Sequence, residues 1–203
     1  MKKIFFLIVS FWLMQSSNVF AQSLISEQTL IVAGGCFWCT ESDFEKHQGV
    51  LRAESGYING TTKNPSYKEV SSNKTGHFEA VKITYNKDLV SLRELVDFYW
   101  YTIDPTDANG QFCDKGSPYK TALFYQDEAQ KKVFEDSLAH VDANKPFNEA
   151  IVTEILQAKQ FYPAEAYHQD FYKKSSLRYR YYRHSCGREK RIEELWGQVV
   201  TDK

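Results

Sequence analysis

Leu30-Ile31-Val32-Ala33-Gly34-Gly35-Cys36-Phe37-Trp38-Cys39-Thr40-Glu41 decides how this chain is read. Four apolar residues run into two glycines and then a thiol. From Phe37 the spacing turns helical, with Thr40, Glu41 and Phe44 following before Gly49 ends the run. A strand that feeds through glycines into a helix sets its first helical residue beside unpaired backbone N–H groups and the positive end of the helix dipole. A cysteine at that junction has its thiolate favoured, and the thiolate is the form that attacks. Cys36 is therefore the candidate nucleophile.

The first of these strands spans 29–33, and elements follow in a regular order. Residues 50–57 read as a strand, and a polar loop covers 59–65. Residues 77–85 alternate with period two. Ser91-Leu92-Arg93-Glu94 is a capping box opening a helix with Leu92, Leu95, Val96 and Tyr99 on its apolar face. The turn-rich stretch 104–110 crosses to a strand at Thr121–Tyr125, and Asp127 begins a helix carrying Val133, Phe134 and Leu138. A strand over 150–156 is followed by Pro163, which suits the first turn of a short helix bearing Tyr167 and His168. Arg188–Trp196 closes the chain helically. The order β-α-β-β-α-β with additions predicts an α/β (α+β) fold: a ferredoxin-like split β-α-β core with a mixed sheet, additional helices and long loops.

The N-terminus reads differently. Lys2 and Lys3 precede an apolar run from Ile4 to Val9, extended by Phe11-Trp12-Leu13-Met14, and Val19-Phe20-Ala21 fits a small-residue cleavage site. We expect residues 1–21 to be a signal peptide cut after Ala21. The apolar run falls short of the roughly 20 residues of a comfortable membrane span. Residues 22–203 then form a single exported domain, periplasmic or extracellular, large enough for a full hydrophobic core. The chain carries 25 Lys and Arg against 26 Asp and Glu. Loss of Lys2 and Lys3 leaves 23 against 26, a balance that argues against nucleic acid as a partner. Export implies an oxidising compartment, where Cys36, Cys39, Cys113 and Cys186 can pair in three complete ways.

Cys36 and Cys39 form a C-x-x-C pair, open to a structural disulfide, half of a metal site or a redox couple. Zinc would need a second compact pair of ligands. Cys113 and Cys186 stand alone, and His47, His77 and His184 show no ligand spacing, so no metal is expected. A thioredoxin-like motif follows a βαβ unit, whereas only about fourteen residues of the expected mature chain precede Cys36. Glu79 shares a strand face with Val81, Ile83 and Tyr85. A carboxyl group desolvated there stays protonated near neutrality and can act as a proton donor; at the strand's start it could instead simply reach water. Asp114 and Tyr57 sit beside glycines at element ends, as binding groups or as turn formers. Phe37 and Trp38 suit either an apolar pocket beside the thiol or the core. Lys115, Lys120 and His140 read as surface residues, and His168 as structural.

Together these residues resemble the A-type peptide methionine sulfoxide reductases. The resemblance runs from about Thr29 to Trp196. It rests on Gly35-Cys36-Phe37-Trp38, Ser55-Gly56-Tyr57, Asn64-Pro65-Ser66-Tyr67, Gly76-His77-Phe78-Glu79-Ala80-Val81 and Asp104-Pro105-Thr106-Asp107. It continues through Gly110-Gln111-Phe112-Cys113-Asp114-Lys115-Gly116, Tyr119-Lys120-Thr121, Phe161-Tyr162-Pro163-Ala164-Glu165 and Tyr167-His168-Gln169-Asp170. It implies that Cys36 is the nucleophile, that Phe37 and Trp38 hold the substrate methyl group, and that Glu79, Tyr57 and Tyr119 surround the sulfoxide oxygen with Asp114 nearby. It implies the S epimer of methionine sulfoxide, in proteins, peptides or as the free amino acid, as substrate. No bound cofactor is needed; an external dithiol, thioredoxin-like or dithiothreitol, recycles the enzyme, which is expected to be a monomer. Lys120 stands where the family often has arginine. Cys39 stands where it commonly has glycine, which makes Cys39 the first candidate to resolve the Cys36 sulfenic acid, ahead of Cys186 and Cys113.

Overall fold

The computed structural model of the chain describes residues 26–197; the expected leader and its cut after Ala21 lie outside them. The chain runs β1 (Glu27–Gly34), α1 (Phe37–Glu45), β2 (Val50–Ile58), α2 (Tyr67–Ser71), β3 (Phe78–Asn86) and α3 (Leu92–Trp100). A ribbon of β4 (Gly110–Gln111) and β5 (Asp114–Lys115) and a 3₁₀ turn at Ser117–Tyr119 lead to β6 (Thr121–Tyr125). Then come α4 (Glu128–Asn144), β7 (Glu154–Gln157), β8 (Tyr162–Pro163), α5 (Phe171–Lys174), α6 (Ser176–Ser185) and α7 (Arg188–Trp196).

The main sheet has the order β7-β6-β1-β3-β2-β8. β6 and β7 are parallel and the other neighbours antiparallel. The inner four strands are the expected split β-α-β core: β3 lies between β1 and β2, and β1 between β3 and β6. From Leu30 onward β1 is buried on both faces, which is why its sequence reads there as a continuous apolar run. Leu30 and Val32 join Val81, Ile83 and the helix residues Phe44, Leu95, Tyr99 and Phe134 in the main core, while Ile31 and Ala33 pack with Ala80 and Phe124 on the other face. Trp100 is fully buried, and its indole N–H donates to Ser137 Oγ at 3.0 Å, tying α3 to α4. Its truncation to alanine would cost about 3–5 kcal/mol.

The capping box at Ser91 is formed, and Asp127 caps α4. Three expectations need correction. Pro163 does not open a helix: it pairs with Gly56 in the edge strand β8, where its missing N–H faces no partner strand. Tyr167 and His168 consequently lie in turns, and helix resumes only at Phe171, after Asp170 takes a left-handed conformation (φ 55°). The strand expected over 150–156 is confined to β7, because Val152 N–H donates to the Pro105 carbonyl instead of to the sheet.

Candidate active site

The turn between β1 and α1 sets the geometry. Gly35 has φ +82°, and a Cβ there would stand 2.5 Å from the Gln111 side chain, so only glycine fits. Cys36 becomes the residue preceding α1, its carbonyl accepting from Cys39 N at 3.1 Å. The first helical N–H, that of Phe37, donates to Glu79 Oε2 at 3.1 Å. Glu79 reaches it from β3, where it faces Tyr57 across the β2 pairing. The helix start thus holds a carboxyl group against the nucleophile position.

That arrangement inverts the thiolate expectation. The Cys36 thiol is pushed well above its ordinary range by burial, by its hydrogen bond to Cys39, and by the negative charges of Cys39, Glu79 and Asp114. The helix N-terminus is engaged by Glu79, and the local field is acidic. Glu79 is 1% exposed, so it does not reach water from the strand's start. Its carboxyl is raised to about 8, chiefly by burial; the Phe37 N–H opposes the shift, and the charges of Asp114 and Cys39 reinforce it. At pH 7 it is mainly a neutral acid with one oxygen occupied by Phe37 and one O–H free to donate.

Cys36, Phe37, Trp38, Tyr67, Glu79, Asp114, Tyr119 and Tyr182 line a small cavity of about 60 Å³. Trp38 is fixed on three sides: it stacks on Phe171 at 3.8 Å between centroids, meets Tyr182 edge-on, and donates from Nε1 to His168 Nδ1 at 3.0 Å. His168 is therefore neutral, with its proton on Nε2, and burial lowers its pKa. Burial pushes Tyr67 up to about 12 and raises Tyr119 and Tyr182 as well, so all three hydroxyls stay protonated donors. Tyr119 and Tyr67 both face the cavity, and Tyr182 donates to Asp114.

Tyr57 is not among the lining residues. Its ring packs on Phe37, but its hydroxyl turns to Glu165 Oε2 at 2.8 Å. The same carboxylate accepts from Tyr67 N at 2.8 Å, so Glu165 holds α2 and Tyr67 at the cavity. Tyr67 was missed in the sequence, although Ser66-x-x-Glu69 is a formed capping box that marks a helix start at that tyrosine. Glu41 was missed too. It is buried on α1, accepting from Ser55 Oγ at 2.5 Å and Asp170 N at 2.7 Å, and it fastens the helix that follows Cys36 to β2 and to the chain before α5.

Cys113 and Cys186 are joined in a disulfide, and Cys36 and Cys39 are free. Cys39 is 2% exposed and packs with Phe171 and Tyr179. Its thiol is held below the ordinary range, first by the hydrogen bond from Cys36 and then, against its burial, by the charges of Arg188 and Arg183. One turn along α1, Asp43 pairs with Arg183 at 2.6 Å. Arg188, 2% exposed, donates to the carbonyls of Gly34 (3.3 Å) and Thr102 (2.7 Å).

A thiol, a neutral carboxylic acid and phenolic donors around an aromatic slot suit reduction of a polar S–O bond, and the comparisons agree. The family profile described as peptide methionine sulfoxide reductase matches residues 28–200. The chain belongs to the peptide methionine sulfoxide reductase family. The peptide methionine sulfoxide reductase MsrA of Bacillus licheniformis is 48% identical over 82% of this chain and 92% of its own. That of Bacillus subtilis is 47% identical over 81% and 93%. Reduced Mxr1 from Saccharomyces cerevisiae superposes with a TM-score of 0.70 at 32% identity, covering 74% of this chain and 87% of that one. Methionine sulfoxide reductase A of Corynebacterium diphtheriae superposes with a TM-score of 0.66 at 28% identity, covering 76% and 78%. This peptide methionine sulfoxide reductase is of the A type, an oxidoreductase, and its mixed sheet matches those neighbours.

Proposed function

We propose that this chain reduces the S epimer of methionine sulfoxide, in proteins and as the free amino acid, through a Cys36 sulfenic acid that Cys39 resolves. The observation that carries the reading is Glu79, buried and neutral, held on the Phe37 N–H beside the Cys36 thiol. A sulfoxide sulfur becomes electrophilic when its oxygen accepts a proton or strong hydrogen bonds. Glu79 supplies the proton, and Tyr67 and Tyr119 stabilise the charge that develops on oxygen. The slot between Phe37 and Trp38 takes the methyl group.

Cys36 attacks sulfur as its proton passes to Cys39, the neighbouring thiol held below the ordinary range. The thioether leaves as methionine, two electrons richer, and the oxygen stays on Cys36 as sulfenic acid. The Cys39 thiol then attacks Cys36: the S–S bond forms, the S–O bond breaks, and water departs with the Cys39 proton. An external dithiol of the thioredoxin class reduces the disulfide by exchange. The solved complex of Mxr1 with Trx2 supports that class of reductant. The pairing of Cys113 with Cys186 supports Cys39 as the resolving residue, since it leaves Cys39 as the free thiol beside Cys36.

We propose further that the enzyme acts as a monomer outside the cytoplasm, after removal of residues 1–21. The support for export is the Lys2–Lys3, apolar-run and Ala21 pattern; intact Met1 on exported protein would count against it. Purified protein with dithiothreitol and methionine S-sulfoxide should yield methionine, and Cys36→Ser should yield none. Turnover that survives Cys36→Ser, or no turnover in the wild type, would overturn the reading.

A further inference from the structure

One wall of the cavity is made by two side chains from distant elements. Asp114 comes from β5 and Tyr182 from α6, and the Tyr182 hydroxyl donates to the Asp114 carboxylate. Immediately before Asp114 stands Cys113, and one helical turn beyond Tyr182 stands Cys186. These two cysteines are bonded to each other, with Cα atoms 4.9 Å apart and a sequence separation of 73. Their sulfurs and an Asp114 oxygen all lie within 4.8 Å of one another. The covalent bond therefore sits directly behind the polar contact and links the same two elements. Cys113 is exposed and Cys186 half-buried, so a dithiol in solvent can reach the bond.

We propose that the Cys113–Cys186 disulfide is a positioning brace for the substrate cavity, fixing Tyr182 against Asp114 and so setting the affinity for the sulfoxide. The wall needs one. Asp114 is half-buried, and burial raises its pKa, so its carboxylate depends on a donor that stays in place. Without the bond, the β5 loop and α6 hold that donor through non-covalent contacts alone. An external dithiol that cleaves the bond converts it to two thiols and is itself oxidised to a disulfide. No sulfur of the Cys36–Cys39 couple takes part.

The proposal rests on the cavity being the sulfoxide site. It is tested in the first turnover, which consumes no added reductant: the methionine burst is measured against substrate concentration in wild type, Tyr182→Phe, the double variant Cys113→Ser/Cys186→Ser, and all three changes together. We expect the half-saturating concentration to rise about tenfold in each of the first two variants and again only about tenfold in the combination, since both remove the same contact. Cys113→Ser alone should reproduce the double variant, which guards against a folding defect, and melting midpoints are recorded alongside. About a hundredfold rise in the combination, or unchanged affinity in the double variant, would overturn the brace. So would normal affinity with loss of reductant-driven turnover, which would make the bond an electron carrier. Absence of any burst in the wild type would instead refute the reading of the site itself.

Discussion

At the scale of single residues, Glu79 illustrates how burial tunes the site. One backbone N–H fixes its position, and its depth keeps it neutral. Glu79→Gln keeps the shape and removes the acid, so the first-turnover rate of methionine formation should fall by about 10²–10⁴-fold. In the wild type, loss of the Glu79 proton should also draw that rate down as pH rises through about 8, and the limb should be missing in Glu79→Gln. A wild-type profile without that limb would remove Glu79 from the proton-donating role. The two tyrosines can be separated in the same assay. Tyr67→Phe takes a hydroxyl from the cavity and should slow the burst about tenfold or more. Tyr57→Phe removes a bond to Glu165 and should slow it much less. The position of Glu79 could be read from period two in its strand, because alternation places a side chain on one face or the other. The direction of the Tyr57 hydroxyl could not, since it depends on Glu165, more than a hundred residues away.

At the scale of elements, Cys36 directly precedes α1 and Cys39 lies in its first turn, and the last two helices treat the two thiols unequally. Arg183 from α6 and Arg188 from α7 lie along the flank of α1 that bears Cys39 and Asp43, while Cys36 looks toward Glu79 and Asp114. A cation beside a thiol favours its thiolate. Arg183→Gln should therefore slow disulfide formation about tenfold more than it slows methionine formation, with more Cys36 sulfenic acid captured by dimedone after one turnover. Equal slowing of both phases would deny the guanidinium this role. The core elements were legible in the sequence because each carries its own periodicity or cap: the apolar run of β1, the alternation of β3, the box at Ser91 and the helix start at Asp127. The chain between residue 157 and the last helix was not, although that helix, Arg188–Trp196, was. β8 is an edge strand of two residues, and beyond it the Gln169 amide takes over the pairing, accepting from Ser55 N at 2.9 Å and donating to Ser55 O at 2.8 Å. Such edge contacts leave no periodic signal.

At the scale of the whole molecule, the acid proposed as proton donor burdens the fold. The Glu79 carboxyl sits at about 8 in the folded chain against an ordinary 4.5. Its neutral form's contribution is complete below about 4.5 and is lost as pH rises through about 8. Thermal denaturation should accordingly show wild-type stability falling relative to Glu79→Gln across that window, with the variant the more stable protein at pH 8; parallel curves would show that the folded carboxyl is not raised. The molecule also partitions its four cysteines into a free couple at the start of α1 and a bridged pair behind the Asp114–Tyr182 wall. That division is the central claim about the redox cycle. It is tested most directly by mapping disulfides by mass spectrometry after one equivalent of methionine S-sulfoxide is added to protein holding free Cys36 and Cys39. The account predicts a new Cys36–Cys39 bond with Cys113–Cys186 still intact; a mixed bond between Cys36 and Cys113 or Cys186 would contradict it.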